Sequence, residues 1–245
     1  MMLSTPVSAN GEKLVATNSD VRMVLGFAAP AGAVAALLPQ GWECDVASSG
    51  PAKDINLRVT FIDTRVTRNA RGKALTPHRI AHLSLPARKV ACLAGATMLV
   101  VVYSTGGNGG PYGNSVQASA SVARRTETSP TAGTVVQEHW QFHTEHGHAI
   151  DAQIEYMPGA PTVLEVEERV HAAATPDCCR IYRAEQTLEV LRDADADRTR
   201  RLRFSASGPL LSSLFDGSER LVRVDAVPWY ARRVFVPPQG SADPN

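Results

Sequence analysis

The chain has 245 residues, of which 44% are hydrophobic and 20% are charged, and its formal net charge is +1. This length suits one large β-rich domain, since sandwiches and barrels often reach about 200–250 residues as a single unit. The nearly neutral charge argues against nucleic acid and against a membrane surface as partners, so we expect an ordinary soluble globular protein.

The N-terminal segment 1–20 has neither the basic start nor the continuous apolar stretch of a signal peptide. No run of about 18 apolar residues occurs along the chain. We therefore expect a cytoplasmic protein with a disordered or loosely attached segment 1–20, a single domain over residues 21–238 and a disordered tail over residues 239–245. The sequence leaves open whether the protein forms a homo-oligomer.

Strand patterns dominate the chain from residue 55 onward. Residues 55–66 alternate between apolar and polar side chains, which predicts a half-buried strand. Segments 134–143 and 149–157 predict a β-hairpin with Gly147 in its turn. The remaining predicted elements are strands at 163–171, 187–192 and 201–206 and helices at 31–38 and 209–215.

The segment 100–122, VVVYSTGGNGGPYGNSVQASASV, joins two strand-like runs through a glycine-rich loop. Its first residues are β-branched or aromatic and pack well on a pleated surface. The glycines between residues 106 and 110 permit positive φ and let the backbone pass close to a ligand. Because many glycine clusters are only surface loops, this stretch alone leaves both interpretations open.

Three stretches together resemble the acetoacetate decarboxylase-like superfamily. They are FAAPAGAVAALLPQGWECD at 27–45, RIAHLSLPARKV at 79–90, and GGNGGPYGNSV at 106–116, where that family carries a glycine-aromatic-proline-lysine-lysine motif. The resemblance implies a mainly β (β-rich α+β) fold, with a partly closed antiparallel β-barrel or cone and a few short helices. It also implies a ligand cavity lined by a hairpin over residues 103–116.

The chain departs from that family at the catalytic lysine. The family's decarboxylases form a Schiff base between this lysine and the ketone of the substrate, through an amine whose pKa is depressed. Gly113 and Asn114 stand where the two lysines would fall, and the four lysines of this chain lie at 13, 53, 73 and 89. We therefore expect no chemistry through a lysine imine.

Glu138 is a candidate general acid or base. It shares a predicted strand face with Trp140 and Phe142, and that face should point inward. A carboxylate in an apolar interior is costly unless it is paired, and desolvation favours the proton-carrying form that acid–base catalysis uses. The alternatives are a buried ion pair with Arg88 or Arg124, or a register that turns Glu138 outward.

Four histidines, at 139, 143, 146 and 148, raise the question of a metal site. On a strand, the first two would be about 13 Å apart, and the other two fall in the predicted turn. We therefore expect no metal site and no cofactor. The adjacent Cys178 and Cys179 fit either a vicinal disulfide or two reduced thiols.

Two interpretations of function follow. In the first, the protein is a lyase-like enzyme (of decarboxylase, dehydratase or cyclase type) that acts on a keto acid or a polyketide-like carbonyl compound. Tyr112 would donate to the carbonyl oxygen, Arg88 or Arg124 would hold a carboxylate, and Glu138 or His139 would move a proton. In the second, the barrel only binds a small molecule or has a structural role.

Further aromatic and polar residues are candidates for substrate binding, namely Tyr103, Asn114 and Trp140. Trp229 and Tyr230, near the C-terminus, either wall a pocket or close the bottom of the barrel.

Overall fold

The computed structural model describes residues 11–91, 95–131 and 133–238. Its strands are β1 (Lys13–Ala28), β2 (Trp42–Cys44), β3 (Leu57–Asn69), β4 (Ala74–Leu75), β5 (Arg79–Lys89), β6 (Gly95–Ser104), β7 (Ser115–Gln117), β8 (Ser119–Ser129), β9 (Gly133–His143), β10 (Ala149–Tyr156), β11 (Thr162–Ala172), β12 (Thr175–Arg192), β13 (Thr199–Ser207) and β14 (Arg220–Val236). One helix, α1 (Ala31–Ala35), and a 3₁₀ turn at Leu211–Ser213 complete the described elements.

Seven strands close into a barrel in the order β5, β3, β1, β14, β12, β11 and β6, and β6 pairs back onto β5. The mainly β prediction is therefore confirmed, with a barrel that is closed rather than partly closed. The pairing is mixed rather than purely antiparallel, because β6 and β11 run parallel. Closure removes free sheet edges, so the backbone groups of the wall are satisfied within the barrel.

A second sheet, in the order β13, β10, β9 and β8, covers part of the outside of the barrel. The apolar core lies between the two sheets. The fully buried ring of Phe61, on β3, lies 5.6 Å from that of Trp140 and 6.0 Å from that of Phe142, both on β9. The predicted hairpin is confirmed by the antiparallel pairing of β9 with β10. The outer wall of the barrel is therefore apolar where the second sheet covers it.

The two long strands at the ends of the chain, β1 and β14, were not predicted, although they pair with each other in the barrel wall. Strand β1 begins at Lys13, which is earlier than the domain boundary expected at residue 21, and Leu14 packs against Ile181 and Phe235. Residues 1–10 and the expected tail at 239–245 lie outside the described residues.

Both helices are shorter than predicted. The first ends at Ala35, ahead of Pro39, and the segment 209–215 forms only the 3₁₀ turn. Over the described part of the chain, no helix is long and apolar enough to cross a membrane. Cys178 and Cys179 do not form a vicinal disulfide with each other.

Candidate functional site

The inner wall of the barrel carries a cluster of polar side chains. Met23 and Leu25 of β1 point outward into the core between the sheets, so the alternation of a strand turns Arg22 inward. Cross-strand neighbours share a face, which places Tyr230 beside Asp20 and Arg232 beside Asn18. The cluster, called the barrel site below, consists of Asn18, Asp20, Arg22, His82, Tyr112, Asn114, Tyr182, Tyr230 and Arg232.

One ion pair of the barrel site is complete within the protein. Arg22 donates from Nε to Asp20 Oδ1 at 2.6 Å and from Nη2 to Oδ2 at 3.1 Å, a bidentate arrangement. Its guanidinium carbon lies 3.3 Å from the centre of the Tyr230 ring. Asp20 is buried, and both of its oxygens are engaged by Arg22.

Arg232 is a second guanidinium in the same enclosed space. It is largely surrounded by protein, and the part of its surface that remains accessible to water lines a pocket that Asn18 and Ala184 also line. Its Nε donates to Asn18 Oδ1 at 3.3 Å, and its guanidinium carbon lies 4.3 Å from the centre of the Tyr182 ring. Among the described residues it forms no salt bridge. Asp20, the carboxylate that acts on Arg232, is paired with Arg22, so these three residues carry two positive charges and one negative charge.

Tyr112 reaches the barrel site from the glycine-rich loop. Its hydroxyl lies 2.8 Å from the hydroxyl of Tyr182, and burial, followed by Tyr182, raises the pKa of Tyr112 far above its usual range. The loop is not the predicted hairpin, because β7 pairs with β6 in parallel. The reversal uses Gly110, whose φ is +63° and whose Cβ, if present, would lie 2.5 Å from Ser115 Oγ.

His82, on β5, is a titratable group that feels the charge of both guanidiniums. Burial, with Arg22 and Arg232 next in effect, lowers its pKa from 6.5 to about 3, so the imidazole is neutral near pH 7. Its Nδ1 is buried and has no hydrogen-bond partner within the described part of the chain. A neutral imidazole beside two cations can accept a proton only if something offsets their charge.

Asn114 lies at the end of the loop, where the family resemblance would place a lysine. Its Nδ2 makes a long hydrogen bond of 3.5 Å to the carbonyl oxygen of Leu99, and its buried Oδ1 has no partner among the described residues. Its own carbonyl oxygen accepts the N–H of Val102, the residue opposite His82 in the β5–β6 pair. Asn114 and His82 therefore flank the same stretch of the barrel wall.

Glu138 does not share a cavity with Tyr112. It is buried between the sheets, where its Oε1 accepts hydrogen bonds from Arg124 Nε at 2.9 Å and Tyr156 Oη at 2.8 Å. Its Oε2 accepts one from Trp140 Nε1 at 2.9 Å. The arrangement is the buried ion pair with Arg124 that the sequence left as an alternative. Since Glu138 and Trp140 are engaged with each other, the structure does not bring them to the barrel site.

The other predicted site residues are also dispersed. Arg88 is at the surface, where its Nε lies 2.6 Å from Glu43 Oε1. Tyr103 is buried outside the barrel site, with its hydroxyl 3.0 Å from His148 Nδ1. His139 pairs with Asp151 at 3.0 Å on the second sheet. Of the predicted set, Tyr112 and Asn114 are the two that the structure brings together.

Sequence reasoning missed the residues that define the charge of the site, namely Arg22, His82, Tyr182 and Arg232. Arg22, Tyr182 and Arg232 lie in strand segments that the sequence did not predict, and His82 lies in a stretch that was quoted only for the family resemblance. One signal in the sequence pointed to Arg232: Tyr230, a candidate for lining a pocket, lies two residues before it. Over the described residues, no group of three or more His, Cys, Asp or Glu side chains could hold a metal ion.

A closed barrel with a polar interior, and a second sheet packed on its apolar outside, is the acetoacetate decarboxylase-like fold. Among solved structures, the enduracididine biosynthesis enzyme MppR with bound HEPES matches with a TM-score of 0.54 and 10% identity, covering 96% of this chain and 87% of MppR. MppR complexed with pyruvate matches with a TM-score of 0.51 and 10% identity, covering 96% and 90% of the two chains.

An acetoacetate decarboxylase-like enzyme from Sphingomonas wittichii RW1 matches with a TM-score of 0.51 and 11% identity, covering 96% of this chain and 94% of that one. No family model and no curated protein matches the chain. At identities of 10–11%, what the chain shares with these enzymes is the fold.

Proposed function

We propose that the barrel site binds a small keto acid through its carboxylate, with Arg232 as the principal partner. The observation that carries this proposal is that Arg232 forms no salt bridge within the described residues and lies near an Asp20 that Arg22 already holds. An enclosed cation without a counter-ion is costly, and a bound carboxylate removes that cost. The terminal nitrogens of a guanidinium fit a carboxylate as a two-pronged donor.

The remaining groups of the site suit a carbonyl next to that carboxylate. Tyr112 and Tyr182 carry two hydroxyl protons, and their mutual hydrogen bond uses one of them. The other is free for donation to a carbonyl oxygen, the role expected for Tyr112. None of the four lysines belongs to the barrel site, which is consistent with chemistry that forms no imine.

His82 is the candidate proton-transfer group. Burial is the main reason that the pKa of His82 is lowered, and the two guanidiniums add to it. A carboxylate bound at Arg232 would offset part of that second effect, so the imidazole would become a better base when substrate is bound. The protein would then be an enzyme of lyase-like acid–base chemistry. MppR, which shares the fold, has been solved with pyruvate and with the condensation product of pyruvate and imidazole 4-carboxaldehyde, which supports a keto acid as the first ligand to test.

Binding is tested by titrating the protein with pyruvate in a calorimeter. Arg232→Met should weaken binding about a hundredfold, within the range for truncating one member of an enclosed, hydrogen-bonded charge pair. Arg88→Met makes the same change at the surface ion pair with Glu43 and should leave binding unchanged. Equal binding by the wild type and Arg232→Met would contradict the proposal.

Catalysis is tested by following exchange of the methyl protons of pyruvate for deuterium by NMR. An acid–base site should accelerate this exchange, and His82→Gln should abolish the acceleration while keeping affinity within a few-fold. Pyruvate binding without any acceleration would favour the alternative, a barrel that binds a small molecule and does no chemistry.

A further inference from the structure

The second sheet leaves part of the outer wall of the barrel uncovered. Over the adjacent strands β3, β1, β14, β12 and β11, this uncovered wall forms an open groove of about 730 Å³. Because the side chains of Asn18 and Arg232 turn into the barrel, their neighbours along the strands turn outward. The outward neighbours Thr17, Ser19 and Ala231 are small, and they form the floor of the groove.

Two pairs of like charges lie on opposite halves of this groove. Arg68 and Arg233 point outward from β3 and β14. Glu185 and Glu165 point outward from β12 and β11, on the other half. All four side chains belong to exposed residues, and within the part of the chain that the structure describes none of them forms a salt bridge. The groove therefore has a positive half and a negative half.

The other charges of the groove add to this division. Arg183, on β12, lies 2.6 Å from Glu167 Oε2 and 2.7 Å from Glu12 Oε2, measured from Nε and Nη1. These three residues together carry one positive and two negative charges, and they lie on the negative half. The cation of Arg183 is thus held within the protein, whereas Arg68 and Arg233 remain available to a partner.

Exposed apolar side chains continue along the groove. Val66 lies beside the floor, and Trp229 and Val163 flank Thr187 one row further along the strands. Exposed apolar residues gathered on one face mark an interaction site, and tryptophan is the residue type that most often anchors a protein–protein interface. Apolar residues beside opposite charges therefore indicate a docking surface for another protein.

The division of charge selects a second copy of this chain as that protein. Two-fold related copies meet through the same patch, so the patch must be complementary to itself. A two-fold axis that runs along the strands between β14 and β12 lays the positive half of each copy on the negative half of the other. It also keeps the facing strands nearly aligned, as in ordinary packing of twisted sheets. We propose that the protein forms a homodimer through this groove, with Arg68 and Arg233 of each copy meeting the two glutamates of the other.

Sedimentation velocity of the full chain over a range of concentrations tests the association. We expect a particle of twice the chain mass of 26.2 kDa. Raising NaCl from about 50 mM to about 500 mM should weaken the dimer about tenfold or more, because salt screens charges at the rim of an interface. A monomer at every concentration would overturn the proposal, and so would a dimer that is indifferent to salt.

Charge reversal followed by mixing assigns the dimer to the groove. Arg68→Glu with Arg233→Glu makes both halves negative. Glu165→Arg with Glu185→Arg makes both halves positive. Each double variant alone should dimerise about a hundredfold more weakly or worse, because like charges then face each other. Mixing the two variants should restore a heterodimer with an affinity within about tenfold of the wild type, because opposite charges meet again.

A matched control separates the groove from the net charge of the chain. Arg201→Glu with Arg203→Glu makes the same change in charge on the exposed face of β13 and should leave the dimer unchanged. A dimer that survives either reversal in the groove, or that mixing fails to restore, would show that the copies meet elsewhere. The salt dependence of the wild type decides the matter if a variant fails to fold. None of these outcomes depends on the proposed binding of a keto acid.

Discussion

Glu138 should stabilise the fold rather than act on a substrate, and Glu138→Gln tests this. The side chain is 1% exposed and accepts hydrogen bonds from Arg124, Tyr156 and Trp140 at 2.8–2.9 Å. Glutamine replaces one acceptor oxygen by a donor and leaves the guanidinium of Arg124 without its counter-charge. Removing one partner of a buried ion pair costs about 3–5 kcal/mol.

The solvent exposure of Arg124 reduces this free-energy cost. The side chain of Arg124 is 32% exposed, so water recovers part of its solvation, and we expect a loss of about 2–4 kcal/mol. In a domain of this size this corresponds to a fall in Tm of about 4–16 °C. Adding Arg124→Leu to Glu138→Gln should recover part of the loss, because the uncompensated cation is then removed as well.

Urea denaturation followed by tryptophan fluorescence measures the effect. Glu155→Gln, a partly exposed carboxylate of the neighbouring strand that contacts Gln137 at 3.3 Å, is the matched control and should change the free energy of unfolding by less than about 0.5 kcal/mol. If Glu138→Gln kept full stability and lost the deuterium exchange of pyruvate, Glu138 would be the proton-transfer group that the sequence suggested rather than a residue that stabilises the fold.

Two further predictions concern stability. Asn56→Leu should cost about 2–6 kcal/mol in urea denaturation, because it leaves the N–H and C=O of Ala29, each bonded at 2.8 Å, without partners. The same change at Asn114 removes an unpaired acceptor and should be nearly neutral, and an equal loss at both positions would refute this contrast. For His82, the pKa is lowered to about 3 in the folded state, so the unfolded chain binds a proton that the folded protein does not. Stability should therefore fall as the pH drops from 6.5 towards 3, and His82→Gln should weaken this dependence.

The strands that the sequence predicted are those with one apolar and one polar face. Strand β3 alternates because its outward residues Leu57, Val59 and Phe61 enter the core between the sheets. The hairpin of β9 and β10 follows the same rule, since Ile150 and Ile154 are buried and Gln153 faces away. Where one face of a strand packs against the second sheet, the alternation of apolar and polar residues was enough to predict the strand.

Strands β1 and β14 lack that signal along much of their length. In β1 the inward positions carry Asp20 and Arg22, and in β14 they carry Tyr230 and Arg232, while parts of their outward faces are exposed. Bulges, such as the register shift between Asp20 and Arg22, break the period further. A chain with polar side chains on both faces shows no alternation of apolar and polar residues, so the sequence did not predict these strands.

The same reason limited the prediction of the site. The glycine-rich loop and its Tyr112 were found through the family resemblance, which concerns the order of motifs along the chain. Glu138 was chosen because a carboxylate in an apolar pattern is conspicuous, yet that pattern belongs to the core between the sheets. Arg232 is inconspicuous in sequence because an arginine in a polar segment is usually at the surface.

A barrel that packs its outer wall against a second sheet has two interiors, and they differ in what they can do. The one between the sheets is apolar and dry, so the charged pair of Glu138 and Arg124 survives there only with every oxygen engaged. Over the part of the chain that the structure describes, the one inside the barrel retains unpaired groups, since Arg232 forms no salt bridge and Asn114 Oδ1 has no donor. A hydrogen-bond network in which every group is paired stabilises the fold, whereas unpaired groups remain able to bind a ligand. On that physical ground the candidate site lies inside the barrel.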